Sequence, residues 1–143
     1  MTTEASIGYG TLFKTDNGNS PAAWDTLAEV TSISPPKMSR DSIDATHEQS
    51  PNAWREFIAG LKDGGEVSLD LNFIPGGSAA DDLTAELALA GSAATKSRLI
   101  VFPDGSQFEF DAFLTGFEPD APLDDKMTGT ATFKVTGEPV LTQ

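Results

Sequence analysis

Apolar and polar residues alternate without a break from Glu66 to Phe73. Val67, Leu69, Leu71 and Phe73 fall on one parity, and Glu66, Ser68, Asp70 and Asn72 on the other. Successive side chains of a strand point to opposite faces, so this segment predicts a strand with one face in a core and the other in water. The same alternation runs through 107–112 and through 126–135, the latter rich in threonine, as strands tend to be. From Arg98 to Phe102 the chain is apolar after its first residue, too short for a helix and suited to a strand covered on both faces. Less regular strands are predicted over 7–14, 24–33 and 38–46. Pro103-Asp104-Gly105-Ser106 predicts a chain reversal between two strands. A second reversal is predicted at 118–125, where two prolines and four carboxylates are expected to prevent sheet pairing.

One segment has a helical period. Ser78 is the predicted cap, with Asp81 and Asp82 in the first turn and Gly91 closing the C-terminal end. Ala80, Leu83, Leu87 and Ala90 form a stripe expected to lie on the sheet. A weaker helical turn is predicted within 52–61, because Trp54, Phe57, Ile58 and Leu61 repeat at helical spacing. The order of strands, irregular segment, strand, helix and three further strands argues for a mainly β fold. The expected form is an antiparallel β-sandwich or partial barrel with one flanking α-helix.

Composition narrows the function. With 143 residues, 38% of them apolar and nine phenylalanines, the chain suits a single globular domain with a sizeable core. No apolar run reaches the ~18 residues of a membrane span, and the first residues lack a secretory pattern, so maturation without export is expected. The absence of cysteine excludes disulfides, thiolate catalysis and the common structural zinc sites. The net charge is −13, with five basic residues against fourteen acidic ones after Gly60. Tight nucleic-acid binding is not expected, because it depends on cations that displace phosphate counterions.

The stretch from Ser42 to Gly65 holds the only histidine, His47, together with Trp54, Arg55, Ser50 and several carboxylates. No second histidine completes a zinc-binding helix after His47-Glu48. Ser50, His47 and Asp44 are too close in sequence for the usual spread of nucleophile, base and orienting acid, and no G-x-S-x-G elbow is present. Asp81-Asp82 and Asp124-Asp125 fit a helix start and a solvated turn, and Asp16-Asn17-Gly18-Asn19 falls short of a calcium loop. Gly76-Gly77 before the helix lacks the lysine of a phosphate loop. Neither cofactor nor metal is expected. Large apolar groups on a long connection point instead to a contact surface, and Trp54-Arg55 pairs two favoured interface anchors. A monomeric β-sandwich that binds sugar or peptide on Trp24 and Trp54 is the alternative, and a small acid-dependent hydrolase a third reading.

The series IGYGTLFK, WDTLAEVTSISPP, SRDSIDATHEQSP and WREFIAGLKDGGEVSLDLNFIPG, in this order and spacing, resembles the major tail tube protein of lambda-like siphophages. The resemblance covers nearly the whole chain. It implies a β-sandwich with a flanking helix, similar to type VI secretion tube proteins, in a single domain over 1–143 without an appended immunoglobulin-like domain. It also implies a non-enzymatic virion subunit, assembled in the host cytoplasm into six-membered rings that stack as a hollow tube for the genome. Implied partners are further copies of the chain and the tape measure, tail terminator and tail initiator proteins; DNA passes transiently. The connection from about Ala45 to Gly65 is then expected to be poorly ordered in the free subunit and fixed by neighbours, with His47, Trp54, Arg55, Phe57, Ile58 and Leu61 at the subunit interface. Glu66, Ser68, Asp70 and Asn72, with some of Arg40, Ser42, Asp44 and Thr46, are the expected lumen face.

Overall fold

The computed structural model describes residues 10–16, 24–27 and 29–143. Among these residues two antiparallel sheets form. The larger has the strand order β2 (Trp24–Thr26), β1 (Leu12–Asp16), β7 (Lys96–Val101), β8 (Gln107–Asp120), β9 (Thr128–Thr142), β6 (Glu66–Asn72) and β3 (Val30–Ser34). The smaller pairs β4 (Ser39–Asp44) with β5 (Phe57–Asp63). The large sheet curls until β1 and β3, with four strands between them in the order, come into contact. That curl makes it a partial barrel around one core. Val67, Leu69 and Leu71 of β6, Phe110, Ala112 and Leu114 of β8, and Ala131, Phe133 and Val135 of β9 fill this core with Phe13 and Ile100.

The alternation of β6, β8 and β9 therefore places their apolar parity inward as predicted, and Arg98, Leu99 and Ile100 are buried in succession on β7. Other expectations need correction. Ile7 to Tyr9 of the first predicted strand and the Asn17–Asn19 turn lie outside the described residues. The segment 24–33 is two strands, broken where Glu29 takes a left-handed backbone with φ 63°. Pairing does not stop at Glu118: Glu118, Pro119 and Asp120 face Thr130, Gly129 and Thr128. Proline is tolerated there because β7 pairs with β8 only as far as Ala112, which among the described residues leaves the later part of β8 with a strand on one side alone. β9 also runs past Val135, with Val140, Leu141 and Thr142 opposite Glu109, Phe108 and Gln107.

The helix α1 (Ser78–Leu87) starts one residue earlier than predicted, with Gly77 as its cap, and ends before Gly91. Of the predicted stripe Leu83 enters the core, whereas Leu87 and Ala90 are exposed; the side chain of Ala80 is outside the description. The reason is Arg98, which is 1% exposed. Glu86, on the same face as Leu83, meets it at 2.8 Å, so the helix turns a carboxylate and not Leu87 toward the sheet. Arg98 also donates to Thr15 Oγ1 and to the Ala112 carbonyl and lies 4.7 Å from the centre of the Phe133 ring. Burial pulls its guanidinium below the usual pKa, and Glu86 opposes that shift.

The two sheets are joined through Gly64 and Gly65. A Cβ on Gly64 would stand 2.6 Å from Val135 Cγ1, and one on Gly65 2.3 Å from the Lys37 carbonyl oxygen, with φ at +74°. A left-handed backbone costs about 1–2 kcal/mol for a residue with a Cβ, and here a clash with main chain adds to it. Gly65→Ala is expected to melt at least about 5 °C below the wild type by circular dichroism. Equal melting temperatures would show that this crossing is not held as described.

Candidate functional site

Two surfaces stand out. The first is the outward face of β8, β9, β6 and β3. Register places its side chains in cross-strand rows: Asp120, Thr128 and Asn72; Glu118, Thr130, Asp70 and Ser32; Thr132, Ser68 and Ser34. Thr130 donates to Asp70 Oδ1 at 3.1 Å. The next row brings Lys134 opposite Glu66, and its ammonium group lies 3.2 Å from Asp63. The result is a wall of short hydroxyls and carboxylates whose one lysine is already paired. Asp63 also accepts the Gly65 N–H, and that bond, followed by Lys134, lowers its pKa. Among the described residues β3 pairs only with β6, and β8 beyond Ala112 pairs only with β9, so both flanking strands of this face are one-sided there.

The second surface is the β4–β5 hairpin. Every residue of β4 is exposed, and so is every residue of β5 except Gly60. Ile43 pairs with Ile58 and Asp44 with Phe57, so apolar groups occupy both faces. Trp54 and Leu61 are 73% and 84% exposed. The predicted helical turn over 52–61 is thus a strand from Phe57 onward; only Pro51–Ala53 forms a short 3-10 turn. A helical spacing appears because neither face of the strand has a core of its own to impose a period of two. Glycine at 60 suits the bulged register, since a Cβ there would stand 3.0 Å from that of Asp41.

The connecting loop has its own internal structure. Ser50 is buried and donates to Glu56 Oε2 at 2.8 Å, while its oxygen accepts the His47 N–H. His47 Nδ1 accepts the Gln49 N–H, and its Nε2 lies 3.4 Å from Glu56. Asp44 accepts both the hydroxyl and the N–H of Thr46, bonds that lower its pKa. In this arrangement the Ser50 hydroxyl donates its hydrogen bond to the Glu56 carboxylate and not to the His47 ring. The grouping fixes the loop and does not build a nucleophile.

The sequence-predicted residues divide accordingly. Glu66, Ser68, Asp70 and Asn72 share the polar wall, whereas Arg40, Ser42, Asp44 and Thr46 belong to the separate hairpin and its loop. His47, Trp54, Arg55, Phe57, Ile58 and Leu61 all lie on the hairpin or its loop. Trp24 and Trp54 stand in different regions, one on an edge strand of the large sheet and one in the hairpin loop. Thr128, Thr130, Thr132, Glu118 and Asp120 were missed as wall residues. Their alternation was visible, but only the strand register shows which face they share with β6. Among the described residues no group of acids and histidine could hold a metal ion, and no helix is long and apolar enough to cross a membrane.

Residues 8–142 match the family model described as lambda phage tail tube protein. No curated protein sequence matches at a significant level. Among solved structures, the tail of an empty gene transfer agent particle, refined with C6 symmetry, superposes with a TM-score of 0.75 at 16% identity, covering 97% of this chain and 100% of that one. The sheath/tube terminator of the extracellular contractile injection system PVC gives 0.74 at 13% identity, with 100% of both chains covered. The tube-terminating cap of the anti-feeding prophage gives 0.73 at 14% identity, covering 100% of this chain and 94% of that one.

Proposed function

The chain belongs to the lambda phage tail tube protein family and is a structural subunit of a virion tail tube; from that premise we propose that it assembles as six-membered rings stacked into a conduit for the genome. One observation carries the ring: a polar four-stranded wall whose flanking strands, β3 and the later part of β8, each pair on one side only among the described residues. Joining such walls edge to edge in a circle satisfies the one-sided strands and points one parity of side chains into a common channel. The sixfold symmetry of the similar gene transfer agent tail supports the ring size.

Glu66, Ser68, Asp70 and Asn72, with Thr128, Thr130, Thr132, Glu118 and Asp120, line the channel in this reading. Such a wall offers a phosphate backbone nothing to grip, because counterion release needs lysine or arginine. The chain acts as one tube domain, without catalysis or cofactor. It is assembled in the host cytoplasm, with the tape measure, tail terminator and tail initiator proteins as partners. The likenesses to a tube terminator and a tube-terminating cap support contacts at the ends of the tube.

Electron microscopy of the concentrated protein is expected to show rings or tubes with an open centre; monomers at every concentration would refute the reading. Asp70→Lys tests the channel face. Each ring would gain one inward lysine per subunit, so particles with complete tails are expected to release their genome more slowly than the wild type, with the deficit shrinking as salt rises. Unchanged ejection kinetics would move Asp70 out of the channel.

A further inference from the structure

A groove of about 600 Å³ opens where the hairpin leaves the large sheet, lined among others by Met38, Arg40, Lys62, Asp63, Glu138 and Pro139. Arg40 and Lys62 are direct cross-strand partners, an arrangement that like charges disfavour. Among the described residues neither makes an ion pair. The charge distribution makes this pair unusual. Residues 37–63 carry four basic and five acidic side chains, while the rest of the chain carries five and seventeen. Met38 is 58% exposed beside the basic pair, so the groove joins an apolar floor to two cations without a direct ion pair; of the carboxylates that also line it, Asp63 is already held by Lys134 and Glu138 stands on β9.

The far end of β9 carries the complement. The turn between β8 and β9 spans residues 121–127 and holds Asp124 and Asp125 against one cation, Lys126, with Asp120 immediately before it. Leu123, in the middle of it, is 106% exposed. A fully solvated leucine framed by carboxylates contributes no apolar burial to the subunit. Thr128 at the turn and Thr136 at the groove are eight residues apart on one strand, roughly 26 Å. Groove and turn therefore sit at opposite ends of the molecule and cannot satisfy each other within one copy.

We infer that the groove at the root of the β4–β5 hairpin receives the β8–β9 turn of a second copy of this chain. Leu123 rests on Met38 and Pro139, and Asp124 and Asp125 face Arg40 and Lys62. The contact joins two different surfaces, so it is head-to-tail and propagates from copy to copy. Charge complementarity at its rim sets the register and speeds docking more than it adds affinity. This lock rests on the tube reading but names contacts which that reading does not require.

Charge reversal tests it. In wild-type protein, tubes are expected, with a critical concentration that rises with salt. Arg40→Glu/Lys62→Glu and Asp124→Lys/Asp125→Lys are each expected to raise it about tenfold or more, and the chain carrying all four changes to return close to the wild type. Because the chain has no cysteine, a mixture of Met38→Cys and Leu123→Cys subunits is expected to give disulfide-linked dimers on oxidation, and either variant alone none. Wild-type tubes together with unaffected charge variants, or with no cross-link in the mixture, overturn the lock and leave the tube reading standing. A wild type that never leaves the monomeric state overturns both.

Discussion

Glu86→Ala is expected to lower the stability of the subunit by about 3 kcal/mol, because it strands the buried Arg98. Arginine cannot shed its proton to relieve the burial. What remains is the Ala112 carbonyl, the Thr15 hydroxyl and the Phe133 ring, none of which carries a full negative charge. Lys96 would lose its carboxylate as well, at 3.5 Å, but that pair is partly solvated and contributes little. The melting temperature should fall by roughly 6–12 °C. A double variant, Glu86→Leu with Arg98→Met, removes both charges and fills a similar volume, and it should recover most of the loss. If Glu86→Ala melts within about 1 °C of the wild type, the ion pair does not hold α1 to the sheet.

That pair also shows where sequence patterning stops. Leu83 and Leu87 have the spacing of a buried stripe, and nothing local says that an arginine on β7 will need Glu86 from the helix. The partner is twelve residues away, and only the packed fold brings the two together. β6 and β9 were legible for the opposite reason: one face meets a core along their paired length, so a period of two is imposed on every position. Pro119 was misread because a proline is judged against a strand paired on both sides, and here one side is free. The hairpin was hidden most completely. Trp54, Phe57, Ile58 and Leu61 pack on no core of their own subunit, so their spacing obeys neither the strand nor the helix period. The wall was half legible, since the polar residues of β6 could be named but their threonine neighbours depend on register.

Trp54→Ala combined with Leu61→Ser is expected to leave the subunit folded, at a melting temperature within about 2 °C of the wild type, and to abolish tube formation. The first half follows from exposure: side chains that are 73% and 84% exposed contribute little burial to the subunit, and surface changes away from special contacts stay within roughly 0.5 kcal/mol. The second half follows from what covers them. A two-stranded hairpin in water is marginal, and a patch of this kind marks a contact surface. In the tube, burying each large side chain against a neighbour contributes about 1.5–3 kcal/mol. Losing two of them raises the critical concentration by roughly a hundredfold or more, and the effect recurs at every subunit. Sedimentation and electron microscopy read assembly, and circular dichroism reads the fold. Unlike the charge variants, this one should stay defective at every salt concentration, because apolar burial is not screened. Tubes formed at the wild-type concentration would show the hairpin to be a bystander. A large drop in melting temperature would show that Trp54 and Leu61 belong to the subunit's own core.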